Sequence, residues 1–546
     1  MLTTNEPRKG NASSEKAASA VLEWRTLAVQ RPTPAQRRRR RIIGILSIIL
    51  LALVIFAMVR FTAVADATND QITLRVGNQQ IATLDLRQAF PISPQLFGAN
   101  VFPPLGSVSR DNASGFMDET PSLIAGLRAA HIGLLRFPGG SWGEQHLLSF
   151  GQLSAFSALL QQVGAQGMMQ ARLSGPIGGQ FGNLTSVINR ANIAGQWVDF
   201  MNDPHSYLRT GQYARAPYYP VKYWTVGDEP DTLTDPATGQ PYTVAEYVND
   251  FIQFSTVMHR FDPNVKVFGP DISEFYGPGA GPRDANGVLW MEGFLQGVGA
   301  YEKAHNVTLL DGVSFQRYQF TDAAQSPYLF LSATGEWDYL IPALRQMIGQ
   351  YLPRAVPIAV TGINTNPPSQ ALPSRGIAAL WWADTLAELM NQGVSYVAFS
   401  SAQGQETPYP LFTADTGQPT PMYQVMALFS HLQADLIPLE IQRDPVSIYA
   451  TQDNAHQTVS LLFVNKSPAV QLAQINGASS FFGTSLWGSL NVTLAPYSII
   501  VVTLHRGGSA EAYSFIAPAS DNAGTPSVSH IICGQKSDAL ANTVPC

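Results

Sequence analysis

Between residues 96 and about 433, short apolar runs alternate with longer stretches whose apolar positions recur every three or four residues. The runs are Leu96–Phe102, Gly133–Pro138, Met168–Arg172, Lys222–Gly227, Val265–Pro270, Gly312–Tyr318, Val356–Thr361 and Val394–Ser400. A continuous apolar run bounded by turn residues is the signature of a strand buried on both faces. The intervening stretches carry helix signals. Thr243 with Glu246 three residues on forms a capping box ahead of Tyr247, Val248, Phe251, Ile252 and Met258. Thr120 precedes Pro121 as an N-cap and first-turn proline, and Ile377 to Met390 stops at Gly393. Eight runs alternating with helical stretches predict a (β/α)8 barrel over residues 96–435. A doubly wound open sheet is the lesser alternative, since no G-x-G-x-x-G follows the first run.

The texture changes on both flanks. Val446–Thr451, Thr458–Val464, Leu490–Leu494 and Ser498–Leu504 are strand-like and lack helical spacing, and so are Ile72–Val76 and Ile81–Leu86. Residues 71–95 are therefore expected to join residues 436–505 in a β-sandwich, with 506–546 left as a polar tail. Upstream, Ile42 to Val59 is an uncharged run of 18 residues, about the minimum for a membrane-spanning helix. Arg37 to Arg41 precede it and only Arg60 follows. The positive-inside bias makes 1–41 a cytoplasmic basic tail without periodic pattern, 42–59 a single-pass anchor, 60–70 a linker, and the body extracellular. Cleavage after Ala65 of Ala63-Val64-Ala65 would instead release the body as a secreted protein, but the leader before the apolar run is long for a signal peptide.

Charge sharpens this division. The chain carries 33 Lys and Arg against 39 Asp and Glu. Residues 1–60 hold 11 and 3 of these, leaving 22 and 36 for the rest. An acidic body argues against nucleic acid as its partner, because phosphate binding needs a cationic face. Cys533 and Cys546 are the only cysteines, and an exported setting permits a disulfide between them that closes a terminal loop, two free thiols being the alternative. Neither a C-x-x-C nor an H-E-x-x-H pattern occurs, so no metal or cofactor is called for.

In such barrels, chemistry gathers where the strands end. The second run ends Arg136-Phe137-Pro138-Gly139-Gly140-Ser141-Trp142, and the fourth ends Gly227-Asp228-Glu229-Pro230. An Asp-Glu pair straight after an apolar strand is costly to bury unless it is used or paired, although Asp-x-Pro is also ordinary turn chemistry. Trp142, Trp224, Phe275, Tyr276 and Trp290 lie near the same ends, as sugar-stacking platforms or as core.

Residues 71–505 resemble the retaining glycoside hydrolases of the large (β/α)8 clan, nearest its α-L-arabinofuranosidase, endoglucanase/xyloglucanase and heparanase-like β-glucuronidase branches. The resemblance is carried by Leu96-Phe97-Gly98-Ala99-Asn100, Leu135 to Ser141, Trp197-Val198-Asp199-Phe200, Tyr223 to Asp231, Phe268-Gly269-Pro270-Asp271 and Ala495-Pro496-Tyr497-Ser498-Ile499. It implies a carbohydrate partner and places the acid/base on Glu229. Asp228 stands where the clan has an asparagine that contacts a sugar hydroxyl, and Arg136 matches the arginine of the second strand. Asn100, Trp142, Gln316 and Tyr318 complete the expected substrate contacts, Gln316 replacing a histidine.

One departure bears on mechanism. The clan's nucleophile is a glutamate ending the seventh strand, and this chain reads Thr361-Gly362-Ile363-Asn364. A retaining mechanism needs two carboxyls about 5 Å apart, and glycine supplies none. Without that carboxylate Arg136 needs another partner. If Asp228 or Glu229 takes the place, Glu229 is held ionised and becomes a poorer acid. Three readings follow: a glycoside-binding protein that has lost standard retaining catalysis at Gly362, an active glycosidase using a relocated carboxylate (Glu144, Glu274 or Glu406), or a non-catalytic envelope scaffold.

Overall fold

The computed structural model describes residues 71–77, 79–102, 121–175, 184–320, 326–365, 374–403, 409–413, 416–439, 444–476, 489–518, 525–533 and 543–546. The apolar run 42–59, the N-cap Thr120 and Glu406 lie outside them. Among the described residues no helix is long and apolar enough to cross a membrane.

Three short strands open the described chain: β1 (Gln71–Val76), β2 (Gln79–Asp85) and β3 (Phe90–Pro91). Eight parallel strands then close a barrel. They are β4 (Gly98–Asn100), β5 (Leu134–Phe137), β6 (Gln166–Ala171), β7 (Tyr223–Val226), β8 (Lys266–Ile272), β9 (Gly312–Gln319), β10 (Ile358–Thr365) and β11 (Tyr396–Phe399). Each lies within or overlaps one of the eight apolar runs, and Phe399 beside Ala99 closes the ring. One interior layer consists of Leu134, Met168, Tyr223, Phe268 and Ala359 with Tyr396. Helices face the outside, and the capping box at Thr243 forms as its spacing requires, with reciprocal bonds between Thr243 and Glu246.

The strands β12 (Asp435–Ile437), β13 (Val446–Gln452), β14 (Thr458–Asn465), β15 (Gln471–Asn476), β16 (Ser489–Leu494), β17 (Ser498–His505), β18 (Ser509–Ile516), β19 (Ser529–Ile532) and β20 (Thr543–Pro545) build the second layer system. One sheet runs β2-β1-β15-β16-β20 and the other β19-β18-β17-β14-β13-β12-β3. Strand periodicity assigns the faces. Leu461 and Phe463 of β14 point into the sandwich with Ile72, Leu74 and Ile475, while Leu462 and Val464 belong to the barrel's core. A strand buried on both sides explains why β14 reads as an unbroken apolar run.

The segment 506–546 departs from the expected polar tail. It supplies β18, β19 and β20, and Ala510, Ala512 and Phe515 are buried. Cys533 and Cys546 are joined by a disulfide. Small alternating alanines carry little strand signal, yet they suffice when β17 already presents a paired edge. A second unanticipated feature lies between barrel and sandwich. The helix Arg375–Asn391 carries buried Asp384, which accepts from Thr334 Oγ1 at 2.6 Å, Tyr449 Oη at 2.8 Å and Lys466 Nζ at 3.2 Å. That buried charge is satisfied only because barrel and sandwich both donate to it.

Candidate active site

The polar ends of β4, β5, β7, β8, β9 and β10 converge in one network. Arg136, ending β5, is wholly buried. Its Nη2 reaches Asp228 Oδ1 at 2.9 Å and Asp271 Oδ2 at 2.6 Å. Gln316 Nε2 donates to the same Asp228 oxygen at 2.7 Å. Thr361 Oγ1 donates to Asp271, and the Thr361 carbonyl accepts from Asn100 Nδ2 at 3.0 Å. The loop after β5 closes over Asn100 because position 139 is glycine: it has φ +64°, and a Cβ there would stand 2.9 Å from Asn100 Oδ1.

Glu229 owes its placement to the backbone. Beyond Val226 the chain turns through Gly227 at φ 79° and Glu229 at φ 47°. The Glu229 N–H donates to the carbonyl of Asp271, itself at φ 61°. Left-handed conformations in non-glycine residues cost about 1–3 kcal/mol each and cluster where function holds them. Two such residues bonded to one another end adjacent barrel strands here. The Glu229 carboxyl has no hydrogen-bond partner among the described residues. Burial, then the neighbouring Asp228, Asp231, Asp271 and Glu274, push it up to about 8. That direction favours the neutral, protonated form, which is the form able to donate a proton. Burial also raises Asp271, to about 6, against the opposing pull of Arg136.

Arg136 thus finds its partners in Asp228 and Asp271. The expectation that Asp228 or Glu229 would take up Arg136 is met by Asp228, with Asp271 beside it; its consequence, an ionised Glu229, does not follow, because burial and like charge raise that carboxyl. Asp271, quoted within the Phe268–Asp271 motif but given no role there, is the site residue that the sequence reading left unassigned. The rule that singled out Asp228 and Glu229, a carboxylate straight after an apolar strand, applied to it equally.

Position 362 has a second occupant. A Cβ built there would collide with Gln316 Oε1 and stand 2.8 Å from both Gln316 Cδ and Tyr318 Oη. The Gln316 amide fills the space that a side chain on residue 362 would enter. Tyr318 is half-buried; desolvation raises its phenol, and it hydrogen-bonds with Ser400.

The other carboxylates are engaged. Glu144 is buried and accepts from Gln170 Nε2 at 3.0 Å, Leu173 N at 3.1 Å and Ser174 N at 2.8 Å. Glu274 accepts from Arg317 Nη1 at 2.6 Å and Tyr318 N at 3.2 Å. Asp231 accepts from Ser273 N at 2.9 Å and Ser273 Oγ at 2.5 Å. Of the rim aromatics, Trp224, Phe275 and Trp290 are core. Trp142 is half-buried with one ring face stacked on His146 at 4.2 Å, and Tyr276 is exposed above Arg317.

The fold, a (β/α)8 barrel with additional β-sheets, is shared with solved structures of glycoside hydrolases. Neither a protein-family model nor a curated protein matches the sequence. Among solved structures, the α-L-arabinofuranosidase of Thermotoga maritima in complex with arabinose aligns with a TM-score of 0.56 at 14% identity, over 76% of this chain and 97% of that one. The bifunctional glucanase-xylanase CelM2 from a metagenome library gives 0.55 at 15%, over 77% and 97%. A family 44 xyloglucanase of Paenibacillus polymyxa gives 0.56 at 12%, over 77% and 98%.

Proposed function

We propose that this chain is a membrane-anchored, extracytoplasmic protein of glycoside-hydrolase type, whose barrel mouth binds a carbohydrate. Glu229 is its acid/base, and the two-carboxylate retaining route is lost at Gly362. The observation that carries the reading is the Gln316 amide in the space beside Gly362, held there by its bond to Asp228. A nucleophile deleted in isolation would leave a gap, whereas here the neighbouring residue has taken the volume. Arg136, Asn100 and Asp271 lie beneath as a buried frame that fixes Asp228. A relocated carboxylate is disfavoured at Glu144 and Glu274, whose oxygens are committed to buried donors. A scaffold role is disfavoured by Glu229, a strained residue carrying an unpartnered acid. Anchoring rests on the apolar run 42–59 with the arginines before it.

The test is isothermal calorimetry of the full chain in detergent with arabinoxylan, xyloglucan and cello-oligosaccharides, alongside Glu229→Gln. Saturable binding to one of them, altered by the substitution, is the expected result. Absence of binding to every glycan, those named below included, would refute a carbohydrate site.

A further inference from the structure

Resting on the reading above, we infer that the substrate supplies the nucleophile this site lacks: the barrel mouth takes a 1,2-trans glycoside of a 2-acetamido-2-deoxy sugar, and Asp228 and Glu229 act on it as a pair. Elimination narrows the chemistry first. A retaining cleavage needs a nucleophile at the anomeric carbon, and an inverting one needs a carboxylate free to activate water. Among the described residues near Glu229, Asp231 and Glu274 have their oxygens tied up, and Asp271 is fully buried. What remains beside the acid is Asp228, the residue next to it in the chain.

Asp228 is held in an asymmetric way. Both of its protein hydrogen bonds, from Arg136 and from Gln316, fall on Oδ1. Oδ2 takes none from the described residues, although the residue is only 4% exposed. Oδ2 is not among the buried polar atoms left without a partner, so it meets the little surface the residue exposes, where a donor from a ligand can reach it. An acetamido N–H is such a donor, and its carbonyl oxygen is a nucleophile already tethered to the reacting ring. The guanidinium of Arg136 is shared between Asp228 and Asp271, so one cation faces two carboxyl groups beside the acid. That surplus of carboxyl groups suits a cationic intermediate.

The step balances without any further reagent. Glu229 gives its proton to the glycosidic oxygen as the C1–O bond breaks, and the acetamido oxygen forms a bond to C1. The resulting oxazolinium ion keeps its N–H on Asp228 Oδ2. Water then attacks C1 and loses its proton to Glu229, the C1–O bond of the oxazolinium opens, and the acetamide is restored with retained configuration.

The full chain is assayed on 4-nitrophenyl 2-acetamido-2-deoxy-β-D-glucopyranoside and its galacto epimer, beside the matching 2-hydroxy glycosides and the mono-, di- and trifluoroacetamido analogues. Expected are turnover confined to the acetamido substrates, retention of configuration by NMR, and a kcat/KM that falls stepwise with fluorination. Asp228→Asn should lose about 10²–10³ in kcat, the scale of one lost transition-state contact. Calorimetry with the thiazoline analogue of the oxazolinium ion gives a readout independent of any variant's folding, and tight binding is expected. A flat fluorination series, equal turnover of the 2-hydroxy glycosides, or no turnover and no thiazoline binding would overturn the inference. If other glycans still bind in that last case, the proposed carbohydrate site survives it.

Discussion

Substituting Gly362 by alanine adds one methyl group, and the structure fixes what that methyl meets. Gly362 lies outside the left-handed region, so its backbone accepts alanine without conformational cost. The Cβ would collide with Gln316 Oε1 and come to 2.8 Å from Gln316 Cδ and Tyr318 Oη. Moving the Gln316 amide aside strains or breaks its bond to the Asp228 carboxylate. Such a charge-assisted bond is worth about 1.5–3 kcal/mol. Overpacking a buried site adds about 1–3 kcal/mol where the neighbours cannot move freely. Gly362→Ala is therefore expected to destabilise the barrel by roughly 2–5 kcal/mol. Gln316→Ala alone also costs stability, through the lost bond and the void. In the double variant the new methyl enters the vacated space, so the two effects should fall short of their sum by about 1–3 kcal/mol. Guanidinium unfolding followed by tryptophan fluorescence, run as a double-mutant cycle, reads this coupling. A Gly362→Ala variant within about 0.5 kcal/mol of the parent, the range of an uninvolved surface site, would refute the idea that Gln316 occupies this volume. Strict additivity would refute it as well.

Because the folded state holds the Glu229 proton up to about pH 8, against the usual glutamate value near 4.5, it binds more protons than the unfolded chain between those limits. Stability therefore falls as pH rises through that window, and Glu229→Gln should flatten the slope in thermal scans from pH 4.5 to 8.5. Any turnover that uses Glu229 as an acid should be lost as pH rises through about 8. Arg136→Met leaves two buried carboxylates without their cation, and a loss of about 3–5 kcal/mol is expected in the same unfolding assay. Thr243→Ala removes a capping box whose reciprocal partner is Glu246 and not a site residue, costing about 1 kcal/mol with glycan binding unchanged.

The barrel was legible because parallel strands buried on both faces leave continuous apolar runs, and β14 carries the same mark for the same reason. The strand β18 was not, since Ala510, Ala512 and Phe515 amid serines give no strong alternation of size or polarity. At the site, Arg136, Asp228, Glu229, Gln316 and Tyr318 could be named from strand ends and motif frames, and the structure brings Arg136, Asp228 and Gln316 into direct contact. What the sequence could not convey is which carboxylate takes the arginine. That choice depends on the left-handed turns at Glu229 and Asp271, which carry one acid away from the cation and the other onto it. The filling of the space beside Gly362 was equally hidden, because it joins neighbouring strands through a rotamer of Gln316 rather than through any local pattern.

The central claim is a competent acid, Glu229, in a carbohydrate site whose protein nucleophile is gone and whose place is plugged. The most direct measurement is product analysis of the Gln316→Ala variant with 4-nitrophenyl glycosides lacking an acetamido group, in sodium azide. Opening the plug should let azide reach the anomeric carbon and yield a glycosyl azide of inverted configuration, with none from the parent chain or from Gln316→Ala/Glu229→Gln. Azide product from the parent at the same rate as from Gln316→Ala, or none from Gln316→Ala on any sugar, would contradict the account.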